Sequence, residues 1–275
     1  MAGAAGPLSG SSAGGVSGAG AGGGPSGGGA AGSSGGGGTA GSSGNGNFSD
    51  GVFTHVDLKG HCLNHGLPNK DGKSLVISLG EAYDVTAVGA EIGHHCGSDQ
   101  GRFVYMEIEG DFDVSVQLSH MSNGSAVTDG RGRPTPTKAG LMARVGLDPS
   151  DLFIAMHASE PIEEFPDAWS FDRRAEHSGN LATGGFDYGF INSGSPLFER
   201  ELPNIFVRLK RTGNTFYGYA SIDGTNWVAS SKPTYVVEYP PKLYVGLSQM
   251  SAPENERDSV ESLTHFRVIR GFPAP

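Results

Sequence analysis

The stretch Phe112-Asp113-Val114-Ser115-Val116-Gln117-Leu118 alternates apolar and polar side chains without a break. Period two puts Phe112, Val114, Val116 and Leu118 on one face and Asp113, Ser115 and Gln117 on the other, which is the signature of a half-buried strand. Gly110-Asp111 just before it reads as a turn, and residues 102–108 before that turn read as another strand. Further strand candidates are residues 74–79, 139–144, 152–157, 205–210, 215–221, 235–238, 243–249 and 263–269. Thr212-Gly213-Asn214 and Asp223-Gly224-Thr225 carry hairpin-turn chemistry. No long stretch has a helical period, and residues 254–262 alone suggest a turn or short helix. Many short strands with little helix predict an all-β sandwich or barrel. Two segments, 121–137 and 159–202, read as long loops, and loops of that length are often functional.

The chain is two kinds of material. Residues 1–47 hold 21 of the 46 glycines and no Asp, Glu, Lys or Arg. Such a Gly/Ser/Ala-rich linker cannot bury enough apolar surface to offset its ordering entropy, so it is expected to be disordered. The glycines follow no three-residue period, which excludes collagen. All charged residues lie in residues 48–275, read as one domain. The net charge of −10 argues against nucleic-acid or anionic-membrane partners. No apolar run is long enough for a transmembrane segment. The first residues also lack the basic and apolar regions of a signal peptide. The glycine-rich start suggests a surface tether, with an export signal lying upstream and the domain extracellular. The oligomeric state is not legible.

Gly89-Ala90-Glu91-Ile92-Gly93, Gly101-Arg102-Phe103-Val104-Tyr105, Gly110-Asp111-Phe112-Asp113-Val114 and Lys138-Ala139-Gly140-Leu141-Met142-Ala143-Arg144 form an ordered series. It continues with Phe171-Asp172-Arg173-Arg174 and ends in residues 209–227, from Leu209 through Gly213-Asn214-Thr215-Phe216 to Trp227. Over residues 74–270 this series resembles the concanavalin A-like, laminin-G-type jelly-roll domains of bacterial secreted and surface proteins, including a branch headed "regulation of enolase". The resemblance implies two stacked antiparallel sheets, a concave face, and binding of carbohydrate or another surface ligand. Gly93 and His94 stand where the family often has Trp.

The residues suggest four kinds of chemistry. A glycosidase or lyase would use Glu107 and Glu109, but the Gly110-Asp111 turn scatters that acidic run. Cys62 and Cys96 are expected to pair in an oxidising compartment, where closing a loop of about 35 residues contributes roughly 3–4 kcal/mol. The alternative is a metal site of the reduced thiols, or of His61, His65, His94 and His95 alone. Calcium is the one cofactor the resemblance leaves open, with Asp57, Asp99, Asp148, Asp151, Asp187 and Asp258 as candidate ligands. Asp223 is expected to shape its own turn and Trp227 to pack in the core. No serine-nucleophile elbow or phosphate-binding glycine loop is present. The favoured function is a non-catalytic module for a glycan or surface polymer, with Lys138, Arg144, Arg173, Arg208, Tyr217 and Tyr219 as ligand-binding residues and Lys210 and Arg174 beside them. A structural, self-assembling surface protein is a further alternative.

Overall fold

A computed structural model describes residues 52–60, 73–89, 92, 97–123, 137–160, 169–179, 186–191, 202–251 and 261–273. The glycine-rich residues 1–47, both cysteines, His61, His65, His94, His95, Asp258 and the turn expected over residues 254–260 lie outside them. Among the described residues fourteen strands run in chain order: β1 (Thr54–Lys59), β2 (Lys73–Ser78), β3 (Ala82–Ala87), β4 (Gln100–Glu109), β5 (Phe112–Asn123), β6 (Lys138–Arg144), β7 (Phe153–Ser159), β8 (Trp169–Arg174), β9 (Phe186–Phe190), β10 (Ile205–Thr212), β11 (Thr215–Ser221), β12 (Val228–Val236), β13 (Lys242–Met250) and β14 (Ser262–Arg270). No helix occurs among the described residues.

The strands make two seven-stranded sheets. The first has the order β1-β4-β13-β6-β7-β8-β9 and the second β12-β11-β10-β5-β14-β3-β2. All pairings are antiparallel. The architecture is a concanavalin A-like jelly-roll sandwich. Gly110 lies in the left-handed region at φ +86° and carries the chain from β4 in one sheet to β5 in the other, as its turn residues predict.

Alternation builds the core. Phe112, Val114, Val116 and Leu118 of β5 meet Ala139, Leu141 and Ala143 of β6, Val207 and Leu209 of β10, and Val245 and Leu247 of β13 in one inter-sheet cluster. The segment expected to be a loop over 159–202 contains β8 and β9. β8 does alternate, with Trp169 and Phe171 inward, but the charged pair Arg173-Arg174 shortens its apolar run to three positions. β12 begins seven residues before the expected strand and contains Pro233. An edge strand tolerates proline because its outer N–H groups pair with nothing.

Close packing between the sheets rests on Gly218. Its missing Cβ would fall 2.6 Å from Cγ of the fully buried Phe171 ring, on the opposite sheet. The pairing of β11 with β12 slips at this same residue. Gly218→Ala should therefore lower stability by about 1–3 kcal/mol, read by urea denaturation, because a buried ring has nowhere to move.

Candidate functional site

The sandwich has two outer faces, and the side chains nominated from the sequence do not share one. Lys138 and Arg144 belong to the outer face of the first sheet, alternating with the inward Ala139, Leu141 and Ala143. Arg173 alternates with Ser170, Asp172 and Arg174 and so turns inward beside Tyr235, its guanidinium 5.4 Å from that ring. Arg208, Lys210, Tyr217 and Tyr219 are on the outer face of the second sheet.

The first outer face is filled. Leu58, Ile92, Phe103, Met142, Phe153, Ala155 and Met250 form a second apolar cluster there. The Ile92 N–H donates to the Met250 sulfur at 3.0 Å, which seats the segment before β4 against the sheet. At one end, Arg144 and Arg174 converge on the fully buried Asp99 carboxylate. Arg174 Nη2 donates to Asp99 Oδ1 at 2.6 Å, and Arg144 Nη1 donates to Oδ2. The remaining donors reach carbonyls: Arg144 those of Gly146 and Asp148, Arg174 those of Pro149, Asp151 and Gly179. Both guanidinium groups lie over the Phe153 ring, at 5.6 and 5.1 Å. Arg144 is thus buried and engaged within the protein. This corrects its assignment as a ligand clamp; Arg173 is half-buried and faces Tyr235 between the sheets rather than either outer face.

A polar row crosses the middle of this face. Ser248, Gly140, His157 and Ser170 are register partners on β13, β6, β7 and β8. Gly140 has no side chain, and a Cβ there would sit 2.9 Å from His157 Cα. The His157 ring therefore passes over it, and Nε2 lies 2.8 Å from Ser248 Oγ. Nδ1 faces Asp172 Oδ2 at 3.3 Å, and Ser170 Oγ donates to the same oxygen at 2.8 Å. The connectivity is that of a nucleophile, a base and an orienting carboxylate. His157 and Ser248 are 1% and 0% exposed, however, so the array satisfies buried polar groups and offers no surface to a substrate. No local motif could have revealed it, because its members are separated by 15 and 91 residues.

The second outer face is open. Arg208 donates from Nε and Nη2 to the two Asp113 oxygens, both at 2.6 Å. That hydrogen-bonded pairing pushes the Arg208 pKa above the ordinary arginine value. The locked guanidinium lies 5.5 Å from the Tyr219 ring and 5.6 Å from the Trp227 ring. Tyr217 and Tyr219 stand at alternate positions of β11, their ring planes within 9° of parallel and 6.4 Å apart. Lys210 Nζ is 6.0 Å from the Tyr217 ring. Trp227 is half-exposed, not packed in the core as expected. Its turn is shaped by Asp223, as anticipated: Oδ1 accepts from the Thr225 and Asn226 N–H groups at 2.8 and 2.7 Å. Those bonds hold the Asp223 carboxyl well below the usual carboxylate range.

The acidic candidates are otherwise employed. Asp57 accepts from Arg102 at 2.9 Å, Asp187 pairs with Lys232, and Asp148 and Asp151 accept backbone N–H groups of their own turn. Among the described residues no three His, Cys, Asp or Glu side chains gather as metal ligands. Glu107 pairs with Lys242, and Asp111 accepts the Gly213 N–H at 2.7 Å. The acidic run is split by its turn, as the sequence predicted.

No family model matches the sequence, and no curated protein matches it. Among solved structures, a functionally unknown protein from Saccharomyces cerevisiae is similar at 14% identity and a TM-score of 0.48, over 74% of this chain and 96% of that one. A legume lectin-like domain from Entamoeba histolytica is similar at 8% identity and a TM-score of 0.44, over 74% and 90%. A xylan beta-1,4-xylosidase from Bacillus halodurans C-125 is similar at 13% identity and a TM-score of 0.38. There the match takes in 67% of this chain but only 32% of the xylosidase. No helix among the described residues is long and apolar enough to cross a membrane.

Asp99→Asn would leave two buried guanidinium groups sharing a neutral amide. It should cost about 3–5 kcal/mol in urea unfolding, whereas Asp113→Asn, at the surface, should cost under about 1 kcal/mol.

Proposed function

We propose that the domain is a non-catalytic carbohydrate-binding module whose ligand lies across the outer face of the second sheet. The supporting observation is the parallel pair of half-exposed rings, Tyr217 and Tyr219, flanked by an arginine already fixed in place. Aromatic faces take up the C–H faces of sugar rings, and tyrosine orders at little entropic cost. Arg208 is held by Asp113 before any ligand arrives, so its ordering is not charged against binding. The glycan setting implies an extracellular or cell-surface location for the module. The expected Cys62–Cys96 disulfide is part of the same proposal.

Affinity electrophoresis through polysaccharide gels tests the assignment. Tyr217→Ala and Tyr219→Ala should each weaken retention about tenfold or more, in line with the loss of an aromatic anchor. Lys138→Ala, on the opposite face, should leave it unchanged. The reverse pattern would move the site to the first sheet.

Self-association has one observation in its favour. Leu75, Ile77 and Leu79, on and just beyond the edge strand β2, are 60%, 51% and 57% exposed. An exposed apolar edge is a template for another strand. Two copies pairing antiparallel about Val76 would set Leu75 of each against Ile77 of the other. Light scattering behind size exclusion should then show a dimer that Ile77→Lys converts to monomer. A monomeric native protein at all concentrations would remove this reading.

A further inference from the structure

We infer that the saccharide taken by the second sheet is acidic, carrying carboxylates or sulfates along its chain. This rests on the proposed binding face and adds its charge selectivity.

The outer face of the second sheet has the opposite charge to the rest of the protein. Among the described side chains, its strands carry Arg208, Lys210, Arg267 and Arg270 against Asp84 and Asp113, a balance of +2 on a chain of net charge −10. Two of the cations are neutralised locally. Arg208 is held by Asp113, and Arg267 donates to Asp84 Oδ1 at 2.7 Å. Among the described residues neither Lys210 nor Arg270 forms an ion pair; Asp113, the register partner of Lys210, is taken up by Arg208. At the two rims, Asp111 accepts the Gly213 N–H of the neighbouring β10–β11 turn, and Asp223 accepts N–H groups of its own turn. His120 and His265 lie further along the face with ring centroids 4.8 Å apart. Burial holds His265 below the ordinary histidine pKa, so it adds no charge at neutral pH.

The free cations sit where a ligand on the tyrosines would pass. Arg270 is the register partner of Ser115, Ser115 of Arg208, and Arg208 of Tyr219. Lys210 is paired with Tyr217 one row away. Strand spacing and rise put Lys210 and Arg270 roughly 12 Å apart across the face. An oligosaccharide bearing a charge on successive sugars can engage both cations while its ring faces rest on Tyr217 and Tyr219. Rows of one charge sign also concentrate counter-charged ligands before contact, which a strongly acidic protein elsewhere repels.

Polygalacturonate and its oligomers are the probes, with neutral xylan as the uncharged comparison and single-stranded DNA as the non-saccharide polyanion. Titration calorimetry at 20 and 300 mM salt should show polygalacturonate binding that weakens at least tenfold at the higher salt. Monomeric galacturonate should not bind measurably. The Lys210→Gln/Arg270→Gln pair should weaken polygalacturonate about tenfold or more and leave the melting temperature unchanged. If xylan binds as tightly as polygalacturonate and the pair of substitutions has no effect, the acidic selectivity is wrong while the glycan-binding reading stands. If neither polysaccharide binds, the binding reading itself fails. Tighter binding of DNA than of polygalacturonate would overturn the assignment to a saccharide.

Discussion

One buried carboxylate organises the first sheet. Asp99 stands between the guanidinium groups of Arg144 and Arg174, and all three side chains are fully buried. Its backbone is tied in as well: the Asp99 N–H donates to the Pro149 carbonyl at 2.9 Å, and its own carbonyl accepts the Gly60 N–H at 2.8 Å. The chain after β1, the approach to β4, the β6–β7 turn and the exit from β8 are therefore joined at one point. Two positive charges on one negative would be costly in a low dielectric. The five carbonyl acceptors and the Phe153 ring spread the excess.

That constraint decides which face is available. Segments anchored by Asp99 and by Ile92 close down on the outer face of the first sheet, so its side chains serve one another. The Ser248–His157–Asp172 row belongs to this closed system. Its geometry matches a catalytic relay, yet burial leaves it the work of satisfying polar groups. Among the described residues, none covers β10 and β11 in this way. There the outward side chains remain partly exposed, among them Arg208 and Lys210 of β10 and Tyr217 and Tyr219 of β11.

Much of the fold was legible because period-two alternation is local. The strands at 112–118, 139–144, 205–210 and 215–221 fall where the pattern puts them, and so does the opposition of Met142 to Leu141. β8 was not legible, because a charged residue, Arg173, takes the inward position after Trp169 and Phe171 and ends the apolar alternation. The site was half legible. Arg208, Lys210, Tyr217 and Tyr219 are neighbours because β10 and β11 form a hairpin, which the Gly213-Asn214 turn announces. Arg144 was misjudged because strand parity shows only that it leaves the core. Parity cannot show that a second apolar layer waits on the other side.

The central claim is that ligand meets the second sheet and not the first. Amide hydrogen exchange of the native protein, with and without saturating oligogalacturonide, addresses it most directly. The account predicts protection of residues 205–221 and 267–270, with exchange in residues 138–144 and 153–159 unchanged. Protection confined to β6, β7 and β8 would contradict it.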